Sequence, residues 1–213
     1  MADVFLDLDG TLTDPFSGLT ASINYALEKV GRLALPPAQL RSAIGPALVD
    51  TFAAMGVDDP EEALGHYRAF YQREGLFDCT VYAGIPEALA EMKADGHRLF
   101  LMTAKPHAYA TKVTEHFGLS QYLTAEFGPE LDGTRNDKAE LLAWALPQTG
   151  SVPARSIMVG DRMHDIRAGQ KNGIVTVAAM WGYGTDDEWD QAEFRCEQVK
   201  YLPGLIDLIY DDD

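Results

Sequence analysis

Short solid apolar runs punctuate the chain: Val4-Phe5-Leu6, Leu99-Phe100-Leu101-Met102, Ile157-Met158-Val159 and Val175-Thr176-Val177-Ala178-Ala179. Runs of this length, rich in strand formers and lacking alternation, predict strands buried on both faces. The spacing extends them to Arg98–Thr103, Ser156–Gly160 and Val175–Ala179, with a further short strand at Leu123–Phe127. Between the runs, apolar residues recur at helical spacing. Helices are predicted over Ile85–Ala94, with Pro86 in its first turn, and over His107–Phe117, stopped by Gly118. Others follow at Asp137–Leu146, capped by Asn136 or Asp137, at His164–Asn172 and at Leu202–Ile209. Strand and helix in turn imply an α/β fold, a Rossmann-like parallel sheet with helices on both faces.

One stretch breaks the alternation. Phe16 to Gly31 reads as an amphipathic helix, with Leu19, Ile23, Ala26, Leu27 and Val30 on one side. Pro36-Pro37 opens another helical piece through Ile44, and Gly45-Pro46 breaks it. Ala47–Met55 and Glu61–Glu74 complete an all-helical block without an obvious strand. The expected organisation is an α/β core from residues 1–13 and 81–213, with residues 14–80 inserted as a helical domain.

The predicted strands run into polar chemistry. After Val4-Phe5-Leu6 come Asp7, Asp9, Gly10 and Thr11. Residues two apart in a strand point the same way, so the two carboxylates share a face if the strand holds to its end. Paired like charges are costly, a cation relieves that cost, and oxygen ligands suit Mg²⁺. Gly10 is where a strand can end and a backbone approach a ligand closely. The plainer alternative is an Asp-Gly turn. Thr103 ends the next run, followed by Ala104 and Lys105. Its hydroxyl and the neighbouring N–H groups could hold a phosphate, or the threonine could simply cap a helix. Lys138 opens a helix, where the dipole disfavours a cation, which hints at pairing with carboxylates and phosphate; a solvated lysine is the alternative. Gly160-Asp161-Arg162-Met163-His164-Asp165 places two carboxylates past a buried strand, able to reach one ion or merely to cap.

Composition narrows the partners. The 213 residues are 46% hydrophobic, with 17 basic against 33 acidic side chains and a net charge of −16. Nucleic acid and anionic membrane surfaces demand a basic footprint, so neither is an expected partner. No run approaches a membrane span, and the acidic start with Asp3, Asp7 and Asp9 does not read as a signal peptide. Cys79 and Cys196 lack metal or redox spacing and read as free thiols of a cytoplasmic protein.

Taken in order, these segments resemble the four motifs of the haloacid dehalogenase superfamily: Asp7-x-Asp9-Gly10-Thr11, Thr103, Lys138 and Gly160-Asp161-x-x-x-Asp165. Ala83-Gly84-Ile85-Pro86, Thr103-Ala104-Lys105-Pro106 and Trp181-Gly182-Tyr183-Gly184 also resemble the phosphoglycolate phosphatase-like branch. Asp14-Pro15, Ser22-Ile23-x-Tyr25-Ala26-Leu27 and Ile44-Gly45-Pro46 lean toward its 5′-nucleotidase-like members. The resemblance implies an Mg²⁺-dependent phosphatase acting on a small phosphorylated metabolite. Asp7 would be the nucleophile, forming an aspartyl-phosphate, and Asp9 the general acid and base. Asp7, the Asp9 main-chain carbonyl, Asp161 and Asp165 would hold the metal. Gly10, Thr11, Thr103, Ala104 and Lys138 would hold phosphate. The helical insertion would be a cap that reads the leaving group, with Arg41 and the Gly45 loop as candidates beside the reading of Arg41 as a solvated helix residue. His107 and His164 are expected as surface or capping residues, and Lys105 near the site mouth. A phosphomutase on the same scaffold and a non-catalytic phosphate-binding module are the competing readings; the filled acid, base, metal and phosphate positions argue against the latter.

Overall fold

The computed structural model of the chain describes residues 1–44 and 48–210. In order, its elements are β1 (Asp3–Leu6), β2 (Thr13–Asp14), α1 (Phe16–Lys29), α2 (Pro37–Leu40), α3 (Leu48–Ala54), α4 (Pro60–Phe70), β3 (Thr80–Val81), α5 (Ile85–Ala94) and β4 (Arg98–Met102). Then come α6 (His107–His116), β5 (Ala125–Phe127), α7 (Lys138–Thr149), β6 (Ser156–Gly160), α8 (Met163–Lys171), β7 (Val175–Ala179), α9 (Asp186–Trp189), β8 (Phe194–Cys196) and α10 (Leu202–Tyr210). The chain divides into two compact units, Met1–Asp14 with Val81–Asp213, and Pro15–Thr80.

The first unit is an α/β sandwich around a six-stranded sheet of order β5-β4-β1-β6-β7-β8. Every pairing in that sheet is parallel. β1 lies inside because all four of its residues are buried, as strands covered on both faces require. The chain steps outward from β1 through β4 to β5, returns to β6 beside β1, and steps outward the other way. That reversal opens a crevice at the carboxyl ends of β1, β4 and β6, where open α/β sheets take ligands. Leu6 stands opposite both Leu101 and Val159, so the three strands end almost level.

Alternation along the strands builds the two covered faces. Phe5, Phe100, Met102 and Met158 pack with Leu141, Leu142 and Ala145 of α7 and Ala168 of α8. The Phe5 and Phe100 rings stack at 4.9 Å. Val4, Leu6, Leu99, Leu101, Ile157 and Val159 are fully buried on the other side. There α5 packs against α10.

His97 ties the ends of this unit together. Its buried ring accepts the Ala2 N–H at Nδ1 (3.1 Å), which leaves Nε2 to donate to Asp207 of α10 (2.9 Å). His97→Phe would strand the Ala2 N–H, and an unsatisfied buried donor costs about 1–3 kcal/mol. A fall of several degrees in melting temperature is expected, with turnover unchanged; an unaltered melt would show that the bond carries no stability.

The helical unit has its own core. α1 buries Ile23, Ala26 and Leu27, and α4 buries Ala63, Leu64 and Tyr67. Tyr25 and Phe70 stack at 4.6 Å. The Asn24 side chain bonds both the N–H (2.8 Å) and the carbonyl (2.9 Å) of Leu35, fixing the loop after α1.

Several elements depart from the expected ones. β1 stops at Leu6, because the N–H groups of Leu12 and Thr13 both turn back to the Leu8 carbonyl. Asp7 and Asp9 therefore lie beyond the strand, and period-two alternation does not govern them. The piece from Pro37 is α2 followed by a 3₁₀ turn, Arg41–Ala43, with Ile44 extended. α4 passes into a π-helical turn, Tyr71–Gly75. Gly45, Pro46 and Ala47 lie outside the described residues. α7 continues over Pro147 to Thr149, closed by Gly150. Strand β8 and helix α9 have no counterpart among the expected elements. Neither Cys79 nor Cys196 forms a disulfide among the described residues, and no helix among those residues is long and apolar enough to cross a membrane.

Candidate active site

Three loops leave the level strand ends. The first begins at Asp7, whose N–H still bonds the Val159 carbonyl (3.0 Å) before the backbone turns away. That anchor holds a carboxylate only 3% exposed at the mouth of the crevice. The second follows β4, where the buried Thr103 donates its N–H to Phe127 of β5 (3.0 Å). The third follows β6 and carries Asp161, fully buried, and Asp165 in the first turn of α8.

Lys138 joins two of them. It is the first residue of α7, whose cap Asp137 accepts the N–H groups of Ala139 and Glu140. Its buried Nζ lies 2.8 Å from Asp7 Oδ1 and 2.5 Å from Asp165 Oδ1. Asp165 Oδ2 accepts the Arg162 N–H (2.9 Å). Both oxygens of Asp165 thus accept a hydrogen bond, one from the lysine and one from the Arg162 N–H. Burial opposes charge on Lys138, yet Asp165 and Asp7 outweigh it and hold the ammonium well above the usual lysine range. Burial opposes charge on Asp165 as well, but His164 and Lys138 keep it below the usual carboxylate range.

Asp7 and Asp161 behave differently. Burial, then the negative charge of Asp165, push both upward; on Asp161 the effect is large, and Asp7 adds to it. Against three buried carboxylates stands one shared ammonium. Asp7 Oδ1, although 2.8 Å from Nζ, accepts no well-aligned hydrogen bond among the described residues. An under-coordinated buried oxygen in a carboxylate-rich pocket with excess negative charge fits a hard divalent cation such as Mg²⁺.

Gly10 has φ +92°, and a Cβ there would stand on the Asp161 carboxylate. It is expected among the phosphate-binding residues, and its N–H is used within the loop. The Gly10 N–H donates to Thr13 (2.7 Å) and that of Thr11 to Leu8 (3.2 Å), so both shape the loop. The Thr11 hydroxyl lies 3.4 Å from Asp161 Oδ1. The N–H groups of Leu8, Asp9 and Ala104, in contrast, donate to no acceptor among the described residues. Leu8 is thus a donor the residue pattern did not reveal, since a backbone N–H has no sequence signature. Thr103 Oγ1 accepts the Lys105 N–H (3.1 Å), which leaves its proton for a ligand oxygen. It does not cap α6, whose cap is Pro106.

Other residues take clear places. Lys105, buried, puts Nζ 2.7 Å from Asp9 Oδ1. His107 is exposed at the start of α6. His164 is half-buried, its Nε2 3.6 Å from Asp165 Oδ1, and offers a ligand atom within 4.8 Å of those of Asp7 and Asp165. Arg41 is exposed and belongs to the helical unit. A loop after β7 braces the whole. Tyr183 N–H donates to Asp161 Oδ2 (2.6 Å), Trp189 Nε1 to the Asp161 carbonyl (2.9 Å) and Trp181 Nε1 to the Thr11 carbonyl (2.9 Å). The Tyr183 hydroxyl donates to Asp14.

A family model for haloacid dehalogenase-like hydrolases matches residues 4–179. The chain is a haloacid dehalogenase-like hydrolase. Among curated relatives of this hydrolase is a 5′-nucleotidase of Pseudomonas aeruginosa, 38% identical over 87% of this chain and 86% of its own length. Another is the tyrosine-protein kinase PtkA of Mycobacterium tuberculosis, 39% identical over 88% of this chain; the match spans only 65% of that protein. A solved predicted phosphatase from Clostridium acetobutylicum superposes on the hydrolase with a TM-score of 0.90 at 31% identity, over 97% of this chain and 98% of that one.

Proposed function

We propose that this hydrolase is an Mg²⁺-dependent phosphatase that cleaves small phosphomonoesters through an aspartyl-phosphate on Asp7. The observation that carries this reading is Lys138 Nζ within 2.8 Å of Asp7 Oδ1, at a level strand edge shared with Asp161. A carboxylate needs no deprotonation to attack, and the lysine holds it in place. An Asp7 oxygen would attack phosphorus as the ester P–O bond breaks, and Asp9 would pass a proton to the departing oxygen. Water would then attack the phosphorus and give its proton to Asp9. The bond to Asp7 breaks, releasing inorganic phosphate and restoring the Asp7 carboxylate, with Asp9 protonated again.

Lys138, the Thr103 hydroxyl and the free N–H groups of Leu8, Asp9 and Ala104 would receive the transferring oxygens. Asp7, Asp161 and the Asp9 carbonyl would hold the cation, with Asp165 acting mainly through Lys138. When bound, the cation adds positive charge where the phosphoryl oxygens gather. We assign choice of leaving group to the helical unit, with Arg41 as the candidate reader. The relative named 5′-nucleotidase favours nucleoside 5′-monophosphates among the substrates.

Purified enzyme with Mg²⁺ is expected to release phosphate from a panel of nucleoside 5′-monophosphates, phosphoglycolate and sugar 1-phosphates, and to stop when the metal is chelated. A sugar 1-phosphate isomerised without free phosphate would instead mark a phosphomutase. Silence on every ester would leave a binding module.

A further inference from the structure

Lys105, which grips Asp9, has no part in the chemistry just described. Lys105 Nζ donates to Asp9 Oδ1 at 2.7 Å, and its side chain is 5% exposed against 22% for the aspartate. The Thr13 hydroxyl reaches the same oxygen at a long 3.5 Å. Both contacts fall on Oδ1. Among the described residues no donor reaches Oδ2.

The backbone that carries Lys105 is itself fixed. Its N–H is held by the Thr103 hydroxyl, and Gly128 beyond β5 sits so close that a Cβ there would lie 2.6 Å from the Lys105 carbonyl. The N–H of His107, two residues on, bonds the Pro129 carbonyl (2.9 Å). A short, buried, charge-assisted hydrogen bond from a fixed backbone fixes the carboxylate it grips. Asp9 needs that hold, because it lies past the end of β1 and is the more exposed member of the pair.

We infer that Lys105 is a positioning residue that clamps Oδ1 of Asp9, so that Oδ2 is the atom that hands a proton to the leaving oxygen. The inference rests on the proposed acid–base role of Asp9. The proton leaves Oδ2 as the ester P–O bond breaks and is replaced from the attacking water; Lys105 keeps its own protons throughout. General acid–base help of this kind is worth about 10²–10⁴-fold, and misplacing the group forfeits much of it.

The test compares two esters of nearly equal shape, phenyl phosphate and p-nitrophenyl phosphate, in single-turnover release of the phenol. The nitrophenolate leaves without a proton and phenolate needs one. Lys105→Met is expected to slow phenol release by roughly 10–100-fold while changing nitrophenol release by less than about threefold. Asp9→Asn is expected to shift the ratio in the same direction, and Lys105→Arg, which keeps a charged donor, to restore most of it. Where thermal melting shows that Lys105→Met is unfolded, Lys105→Gln takes its place. Equal losses on both esters, or a rise in KM alone, would overturn the clamp. An Asp9→Asn enzyme with an unchanged ratio would overturn the acid–base reading itself, and the clamp with it.

Discussion

Asp7→Asn is expected to cut phosphate release by on the order of 10³-fold or more, since loss of a nucleophile removes the step rather than tuning it. The fold should survive. Asn matches Asp in shape, and Lys138 keeps its bond to Asp165 at 2.5 Å. Stability in the absence of metal should hold or rise, because burial and Asp165 already disfavour charge on Asp7. Removing one of three crowded carboxylates relieves the others, as often happens when a functional site is neutralised. The measurements are phosphate release with Mg²⁺ and thermal melting with and without it. The variant should also lose part of the melting-temperature rise that Mg²⁺ gives the wild type, because a ligand of the cation is gone. Wild-type turnover in this variant would exclude Asp7 as nucleophile and remove the proposed intermediate.

The parts of the site that were legible in sequence are those that topology assembles unaided. β1, β4 and β6 announce themselves as apolar runs, and parallel strands that end level bring whatever follows them to one edge. Asp7, Thr103 and Asp161 needed only that rule. Lys138 offered only a hint, a cation at a helix start against the dipole, and a solvated lysine fitted that position as well. What escaped depends on chain separations that no local pattern encodes. Lys105 and Asp9 lie 96 residues apart, and Trp181 and Thr11 170 apart. The end of β1 at Leu6 was hidden because Leu8, apolar and buried, continues the pattern while its carbonyl serves a turn. β8, the edge strand Phe-Arg-Cys, buries only Cys196 and leaves no run to read. Helix α9 did carry a signal. Thr185 and Glu188 form a capping box, visible as Thr-x-x-Glu, in a stretch too short and acidic to show a face. Glu188 also accepts the Met163 N–H (3.1 Å), so the overlooked helix supports the start of α8 next to the site.

Lys138→Met should be the costlier change for the fold. The methionine fills the lysine's slot, but Asp7, Asp161 and Asp165 would then share a buried pocket without their cation. Removing one partner of a buried ion pair costs about 3–5 kcal/mol, mostly through the charge left behind. For a chain of this size that corresponds to a fall in melting temperature on the order of 10 °C. Turnover should fall by about 10²–10³-fold or more, as a donor to the transferring oxygens is lost together with the hold on Asp7. Two further measurements separate charge from packing. Mg²⁺ should raise the melting temperature of Lys138→Met by more than it raises that of the wild type, since the cation then takes over neutralisation as well as binding. Adding Asp165→Asn should recover stability without recovering turnover, because it removes the stranded charge and leaves the phosphate without its lysine. If the double variant melted no higher than Lys138→Met alone, the ion pair would be incidental to the fold and lost packing would account for the damage. If Lys138→Met turned over at the wild-type rate, the lysine would have no part in holding either the nucleophile or the phosphate.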